Sequence, residues 1–157
     1  MKVINGNLFT EFSEGRLDAI AHVTNCKQVM GSGVALQVKK LYPYAYKAYM
    51  RAAPVLGNIS FAGVEGKRGK IVFNLNAQYN YGNDGRRHLN YEAFYKCLND
   101  LRNEFGFIDK EFSDFSIDTL GIPYKMGCDR AGGNWNIVTA MIDEVLSPVV
   151  NVVAVKL

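Results

Sequence analysis

The sequence predicts an α/β protein with a largely parallel sheet covered by helices on both faces. Three observations carry this. Short apolar runs alternate with longer stretches of helical periodicity along the chain. The runs are mostly continuous rather than alternating, as expected of strands buried on both faces. With 157 residues, 48% hydrophobic and 21% charged, the chain makes one domain large enough to build its own core.

The elements follow in order. Lys2–Ile4 is a weak strand pattern, and Ala19–Val23 is a β-friendly run ending at Thr24-Asn25. Val34–Leu41 reads as helix; Pro43 interrupts it, and a tyrosine-rich stretch continues to Arg51. Asn58–Phe61 is a second weak strand and Lys70–Leu75 a strong one. In Tyr91–Phe105 the residues Phe94, Leu98, Leu101 and Phe105 recur on one helical face, with Asn90 as the cap. Ser116–Ile122 is the next strand. Ile137, Val138, Met141, Ile142 and Val145 stripe a helix over Asn136–Leu146, which Ser147-Pro148 stops. Asn151–Lys156 is the last strand.

Composition excludes several classes. A net charge of +3 is a mild bias towards anionic ligands. The opening residues MKVINGN hold no apolar signal-peptide core, and the Val149–Val155 run is interrupted by Asn151 and too short to span a bilayer. No membrane association is expected. Three cysteines without a CxxC pair imply free thiols in a reducing compartment, hence a cytoplasmic location. Two histidines, His22 and His88, without ligand-spaced partners imply no metal. No cofactor is expected, and the chain is read as a monomer.

The informative residues lie where strands give way to helices. The first loop, Thr24 to Gly33, runs from the Ala19–Val23 strand into the Val34 helix. Gly31 and Gly33 let backbone approach a ligand, and the new helix presents free N–H groups and a dipole that favour an anion. The second loop, Gly127-Cys128-Asp129-Arg130-Ala131-Gly132-Gly133, joins the Ser116–Ile122 strand to the Asn136 helix. Two such loops on one sheet edge can grip a diphosphate from both sides. The dinucleotide fingerprint does not fit, because Leu36 stands where a third small residue is needed, and there is no GxxxxGK[ST].

Five motifs in order, Gly6–Phe9, Ile20–Asn25, Met30–Ala35, Asn74-Leu75 with Gln78, and Ile122-Pro123 through Gly127-Cys128 to Gly132–Trp135, resemble a macro domain. The chain is most similar to the branch of ADP-ribose-1''-phosphate phosphatases and the terminal ADP-ribose glutamate hydrolase. The resemblance implies a three-layer α/β/α macro domain with a mixed, largely parallel sheet, spanning 1–157, whose cleft holds ADP-ribose. By that resemblance Asn7 and Leu8 hold the adenine, with Asn7 standing where the family usually has Asp. Asn25 contacts the distal ribose. Gly31, Ser32, Gly33, Val34 and Ala35 form the first diphosphate loop, and Gly127 to Gly133 the second.

The departures bear on chemistry. Gln78, expected among the ligand-binding residues, stands where the glutamate hydrolase has its lysine, and an amide forms no imine. Ala131 falls at the hydrolase's catalytic Asp, leaving Asp129 as the acid of that loop. The candidate catalytic groups are therefore Asp129, able to orient or deprotonate a water, and His22, able to move a proton near neutral pH. The bland alternatives are a turn-capping or Arg130-paired Asp129 and a buried His22. Cys26 and Cys128 are candidate thiols with little else to support them. Tyr79 and Tyr81 can stack on a base or ribose, Trp135 is expected beneath the second loop, and the scattered basic groups read as solvated faces. The expected activity is hydrolysis of ADP-ribose 1''-phosphate. The alternatives are a non-catalytic ADP-ribose reader, or removal of ADP-ribose from modified protein or nucleic acid. The expected partners are ADP-ribose or its 1''-phosphate and ADP-ribosylated macromolecules.

Overall fold

The computed structural model describes all residues 1–157. Its strands are β1 (Lys2–Asn5), β2 (Ala19–Asn25), β3 (Ile59–Val64), β4 (Lys67–Gln78), β5 (Thr119–Pro123) and β6 (Asn151–Lys156). Its helices are α1 (Leu8–Ser13), α2 (Gly33–Leu41), α3 (Pro43–Arg51), α4 (Tyr91–Glu111) and α5 (Trp135–Val145). The six strands form one sheet in the order β1-β6-β5-β2-β4-β3. All neighbours run parallel except β3 and β4, which form an antiparallel hairpin. The expected mixed, largely parallel sheet is thus the observed one.

The pleat sorts side chains into two cores. Ala19, Ala21, Phe73, Leu75, Leu120 and Ile122 pack against α4 and α5. Ile20, Val72 and Val155 face the other way, against Leu8, Phe9, Phe12, Val38, Ala45 and Tyr49 of α1, α2 and α3. Helices therefore cover both faces, giving three layers. Gly121 lies where β5 passes α1; a Cβ there would come within 2.4 Å of Leu17 Cδ1 and 3.0 Å of Leu8 Cδ1.

Several boundaries differ from the sequence reading. Helix α1 is a further element, capped by Asn7, whose Oδ1 accepts from the Phe9 and Thr10 N–H groups at 3.0 and 3.1 Å. Helix α4 runs past Phe105 because Ile108 continues its buried stripe. Strand β5 begins at Thr119, not Ser116: the Asp118 and Thr119 N–H groups bond Asp18 Oδ2, each at 3.0 Å, instead of a neighbouring strand.

On the α2–α3 face the carboxyl half of the β2–β4 pair turns polar. His22 lies opposite Asn74 and Thr24 opposite Asn76. Asn74 Nδ2 donates to the Ala45 carbonyl and to Ser60 Oγ, both at 3.0 Å, so its Oδ1 is the acceptor facing His22 Nε2 at 2.7 Å. The imidazole proton therefore sits on Nε2, and the buried Nδ1 has no protein partner. His22 is 2% exposed, and burial lowers its pKa to about 4, opposed only in part by the bond to Asn74.

A histidine whose folded pKa lies below its unfolded value binds fewer protons folded than unfolded. Its contribution is complete above about pH 6.5 and is lost as pH falls towards 4. In urea titrations at pH 7.5 and 4.5, the stability gap between the parent and His22→Leu should shrink by roughly 2–3 kcal/mol on acidification. A gap that stays constant would show that His22 does not charge on unfolding.

Candidate functional site

A crevice opens between β2 and β5. The two strands pair only at Ala19↔Leu120 and Ile20↔Gly121, yet β2 continues to Asn25 and β5 to Pro123. Beyond the paired residues they diverge. The chain leaving β2 enters α2 and α3 on one face of the sheet, and the chain leaving β5 enters α5 on the other. This is the topological switch point at which open α/β sheets bind ligands. Both glycine loops lie there.

The first loop is stapled by Asn25. Its Oδ1 accepts from the Lys27 N–H at 3.0 Å and the Val29 N–H at 3.4 Å, and its Nδ2 donates to the Val29 carbonyl at 2.8 Å. The Tyr49 hydroxyl, reaching across from α3, donates to the Asn25 carbonyl at 2.5 Å. Asn25 is 7% exposed. Its side chain fixes the loop. The loop then delivers Ser32 as the N-cap of α2 and Gly33 as its first residue, at φ +57°. The Ser32 side chain caps no N–H. The N–H groups of Gly33, Val34 and Ala35 make no bond within the protein, and a Cβ on Gly33 would meet nothing within 4 Å.

The second loop is buttressed from below. The His88 and Leu89 N–H groups donate to the Ala131 carbonyl at 2.7 and 3.0 Å, and the Asn134 N–H donates to the Tyr91 hydroxyl at 2.9 Å. Gly133 is forced by space: a Cβ would lie 2.5 Å from the Gly127 carbonyl oxygen and from Leu89 Cδ2. Gly132 adopts φ +73° against the backbone of Arg86 and Arg87. The N–H groups of Asp129, Arg130 and Ala131 make no bond within the protein. Arg130 spans the crevice, its Nη1 donating to Ser32 Oγ at 2.7 Å. The two loops therefore face each other, each with a row of free donors, and an exposed guanidinium joins them.

The remaining candidates divide. Asp129 is exposed in the second loop, and its carboxylate neither pairs with Arg130 nor caps the turn; Arg130 is engaged with Ser32 instead. His22 is brought to the same strand end but sealed beneath α3, so the crevice receives Asp129 and not His22. The Cys26 thiol is pushed up by burial, and Cys128 is pushed up to about 11 by burial and by Asp129, so both stay protonated at neutral pH. Gln78 Nε2 donates to the Asn80 carbonyl at 2.8 Å. Tyr79 is 59% exposed, with the Lys27 ammonium 4.2 Å from its ring centre. Trp135 packs edge-on to Tyr124 at 5.4 Å, at the base of the second loop. Leu8 is buried in the α1 core, and Asn7 Oδ1 is saturated by the helix cap, leaving only its Nδ2 donors for a ligand.

The residues that position the site without being legible in advance are Tyr49, Leu89 and Tyr91. A separate groove of about 820 Å³ lies at the opposite end of the sheet, between the β3–β4 hairpin and the last turns of α4. It is lined by Phe61, Phe107, Phe112 and Phe115 and by no residue of either glycine loop, so the free donors, not the size of that groove, define the site.

No protein-family model matches the chain. An uncharacterised 17.5 kDa protein in the tk-vs intergenic region of Enterobacteria phage T4 is 30% identical over 150 residues, covering 91% of this chain and 88% of that protein. A Bacteroides thetaiotaomicron protein of unknown function superposes with a TM-score of 0.81 at 22% identity, covering 99% of this chain and 97% of that one. The macrodomain of Thermus aquaticus DarG superposes at 0.74 with 24% identity over 99% and 95% of the two chains. Thermosipho africanus DarTG, solved in complex with ADP-ribose, superposes at 0.74 with 16% identity over 100% of this chain and 42% of its own. The shared architecture is the macrodomain fold.

The packing around Gly133 has a direct test. Gly133→Ala should destabilise the protein by about 1–3 kcal/mol in urea denaturation, because its Cβ meets backbone that cannot yield. Gly31→Ala, whose Cβ would have one ordinary contact at 3.4 Å, should stay within about 0.5 kcal/mol of the parent. Equal stabilities for the two variants would contradict the described loop packing.

Proposed function

The chain belongs to the family of the phage T4 17.5 kDa protein and has the macrodomain fold, and from that premise we propose that its crevice binds ADP-ribose and hydrolyses ADP-ribose 1''-phosphate to ADP-ribose and phosphate. One observation carries the binding: two facing loops present unpaired N–H groups from Gly33, Val34 and Ala35 on one side and from Asp129, Arg130 and Ala131 on the other. Such donors, with the α2 dipole behind them, suit a diphosphate, whose oxygens accept from all sides. Arg130 exchanges its neutral Ser32 partner for a phosphate oxygen, a charge-assisted bond and therefore a stronger one. Asn7 contacts the adenine from its Nδ2 donors to a ring nitrogen.

For the chemistry, Asp129 is the group with the right properties. Its carboxylate is exposed, unpartnered and within the loop that flanks the diphosphate. It takes a proton from a water whose oxygen attacks the terminal phosphorus. The bond from phosphorus to the C1'' oxygen breaks, and that oxygen is protonated from solvent. The loop donors stabilise the added negative charge. His22 serves as structure, since it is neutral and enclosed.

A second reading, a non-catalytic reader of free or attached ADP-ribose, is favoured by Gln78 and Ala131 standing at positions where the related hydrolase carries its lysine and acid. Phosphate release from ADP-ribose 1''-phosphate separates the two. The parent should release phosphate, and Asp129→Asn should lower the rate at least about 30-fold with ADP-ribose affinity little changed, because the backbone cradle is untouched. A parent that binds ADP-ribose but releases no phosphate is a reader. An Asp129→Asn variant with parental turnover would remove Asp129 from the mechanism.

A further inference from the structure

The charges of this protein are unevenly placed. Between Asp18 and Glu65 the chain carries Lys27, Lys39, Lys40, Lys47 and Arg51 and no acidic residue at all, although it has 15 Asp and Glu in total. That stretch includes α2 and α3, two of the three helices that cover one face of the sheet. Lys39 and Lys40 are in the last turn of α2, Lys47 and Arg51 one turn apart on α3, and all four are exposed. None of them forms a salt bridge, because no carboxylate lies in the stretch to meet them; Arg16, Arg68, Lys70 and Lys96 are the Lys and Arg side chains of this protein that do pair with carboxylates.

Apolar and aromatic groups are interleaved with these cations. Tyr44 is 45% exposed, with Lys47 Nζ 5.5 Å from its ring centre, and Lys39 Nζ lies 4.8 Å from the Tyr46 ring. Leu41, Met50 and Val55 are exposed beside them. Electrostatic steering of a small anion would need only the charge. Unpaired cations alternating with tyrosine rings and apolar tips match a chain that has both phosphates and planar bases. The face is also joined to the crevice, since Gln28 Nε2 of the first loop donates to the Met50 carbonyl at the end of α3, at 3.1 Å.

We propose that the α2–α3 face is a docking surface for single-stranded nucleic acid, with Lys39, Lys40, Lys47 and Arg51 on the phosphates and the exposed Tyr44 ring against a base. The surface does not depend on the chemistry assigned to the crevice. It would hold a polynucleotide beside the cleft whether the cleft is catalytic or not.

Fluorescence anisotropy with a labelled oligothymidylate of about twenty nucleotides tests this, longer than the roughly 4–16 nucleotides one small domain occupies. Binding should be micromolar at low salt and fall at least about tenfold between roughly 50 and 200 mM salt, with a logarithmic slope of about −2 to −3 for three to four phosphate contacts. The double variant Lys39→Glu, Lys47→Glu should bind at least about tenfold more weakly, and Tyr44→Ser several-fold more weakly with the salt slope unchanged. ADP-ribose titrations of the same proteins should be unaltered, which keeps this surface separate from the crevice. No binding by the parent, or equal binding by the charge-reversed variant, overturns the proposal. So does competition by polyglutamate or anionic lipid vesicles as effective as unlabelled oligothymidylate, which would assign the face to anionic protein or membrane surfaces.

Discussion

The site depends on a divergence in the sheet. β2 and β5 are adjacent and parallel, but pair over two residues only, at Ala19 and Ile20. Two packing conditions hold them together at that end. Gly121 has no side chain where Leu17 and Leu8 press in, and Ile20 fills the core beneath α1 to α3. Past Gly121 the strands part, and their connections leave on opposite faces. The gap between them is where α2 begins and where the second glycine loop turns. Moving either strand by one residue would exchange its core-facing and outward-facing side chains and displace a loop.

Both loops are rigidified by groups already bonded within the protein. Asn25, Tyr49 and the Asn74–His22 pair hold the end of β2 and the first loop, while Leu89, Tyr91 and the Ala131 carbonyl hold the second. Side chains occupied in this way leave the backbone donors as the groups without partners in the protein. Such donors are fixed in direction and need little reorganisation when an anion arrives. The same economy explains the histidine: a buried neutral imidazole bonded to an amide supports the strand pair but is poorly placed to move protons.

Much of the architecture was readable from local pattern. Ala19–Val23, Lys70–Leu75 and Asn151–Lys156 are continuous apolar runs, and α4 and α5 carry regular stripes. Helix α1 was not readable, because six residues give less than two turns of periodicity. β5 starts later than the apolar run suggests because the Asp118 and Thr119 N–H groups bond the Asp18 side chain rather than a neighbouring strand. At the site, the glycines announced both loops. The Arg130–Ser32 contact joins residues 98 apart, and His22 and Asn74 meet only through strand register. Spacing along one chain segment carries no information about either. Asn7 shows the converse limit: its residue type does not reveal that the adjoining short helix occupies its side-chain oxygen.

The claim that the paired glycine loops form a diphosphate cradle is tested most directly by calorimetric titration of ADP-ribose into the parent and into Gly33→Glu. Gly33 faces open space at φ +57°, so a glutamate there puts bulk and negative charge into the cradle at a modest backbone cost, which thermal melting of the variant would register. The account predicts micromolar binding by the parent, about −7 to −9 kcal/mol, and at least about a tenfold loss in a variant that remains folded. A parent that gives neither heat nor thermal shift at millimolar ADP-ribose, or a folded Gly33→Glu that binds as the parent does, would contradict it.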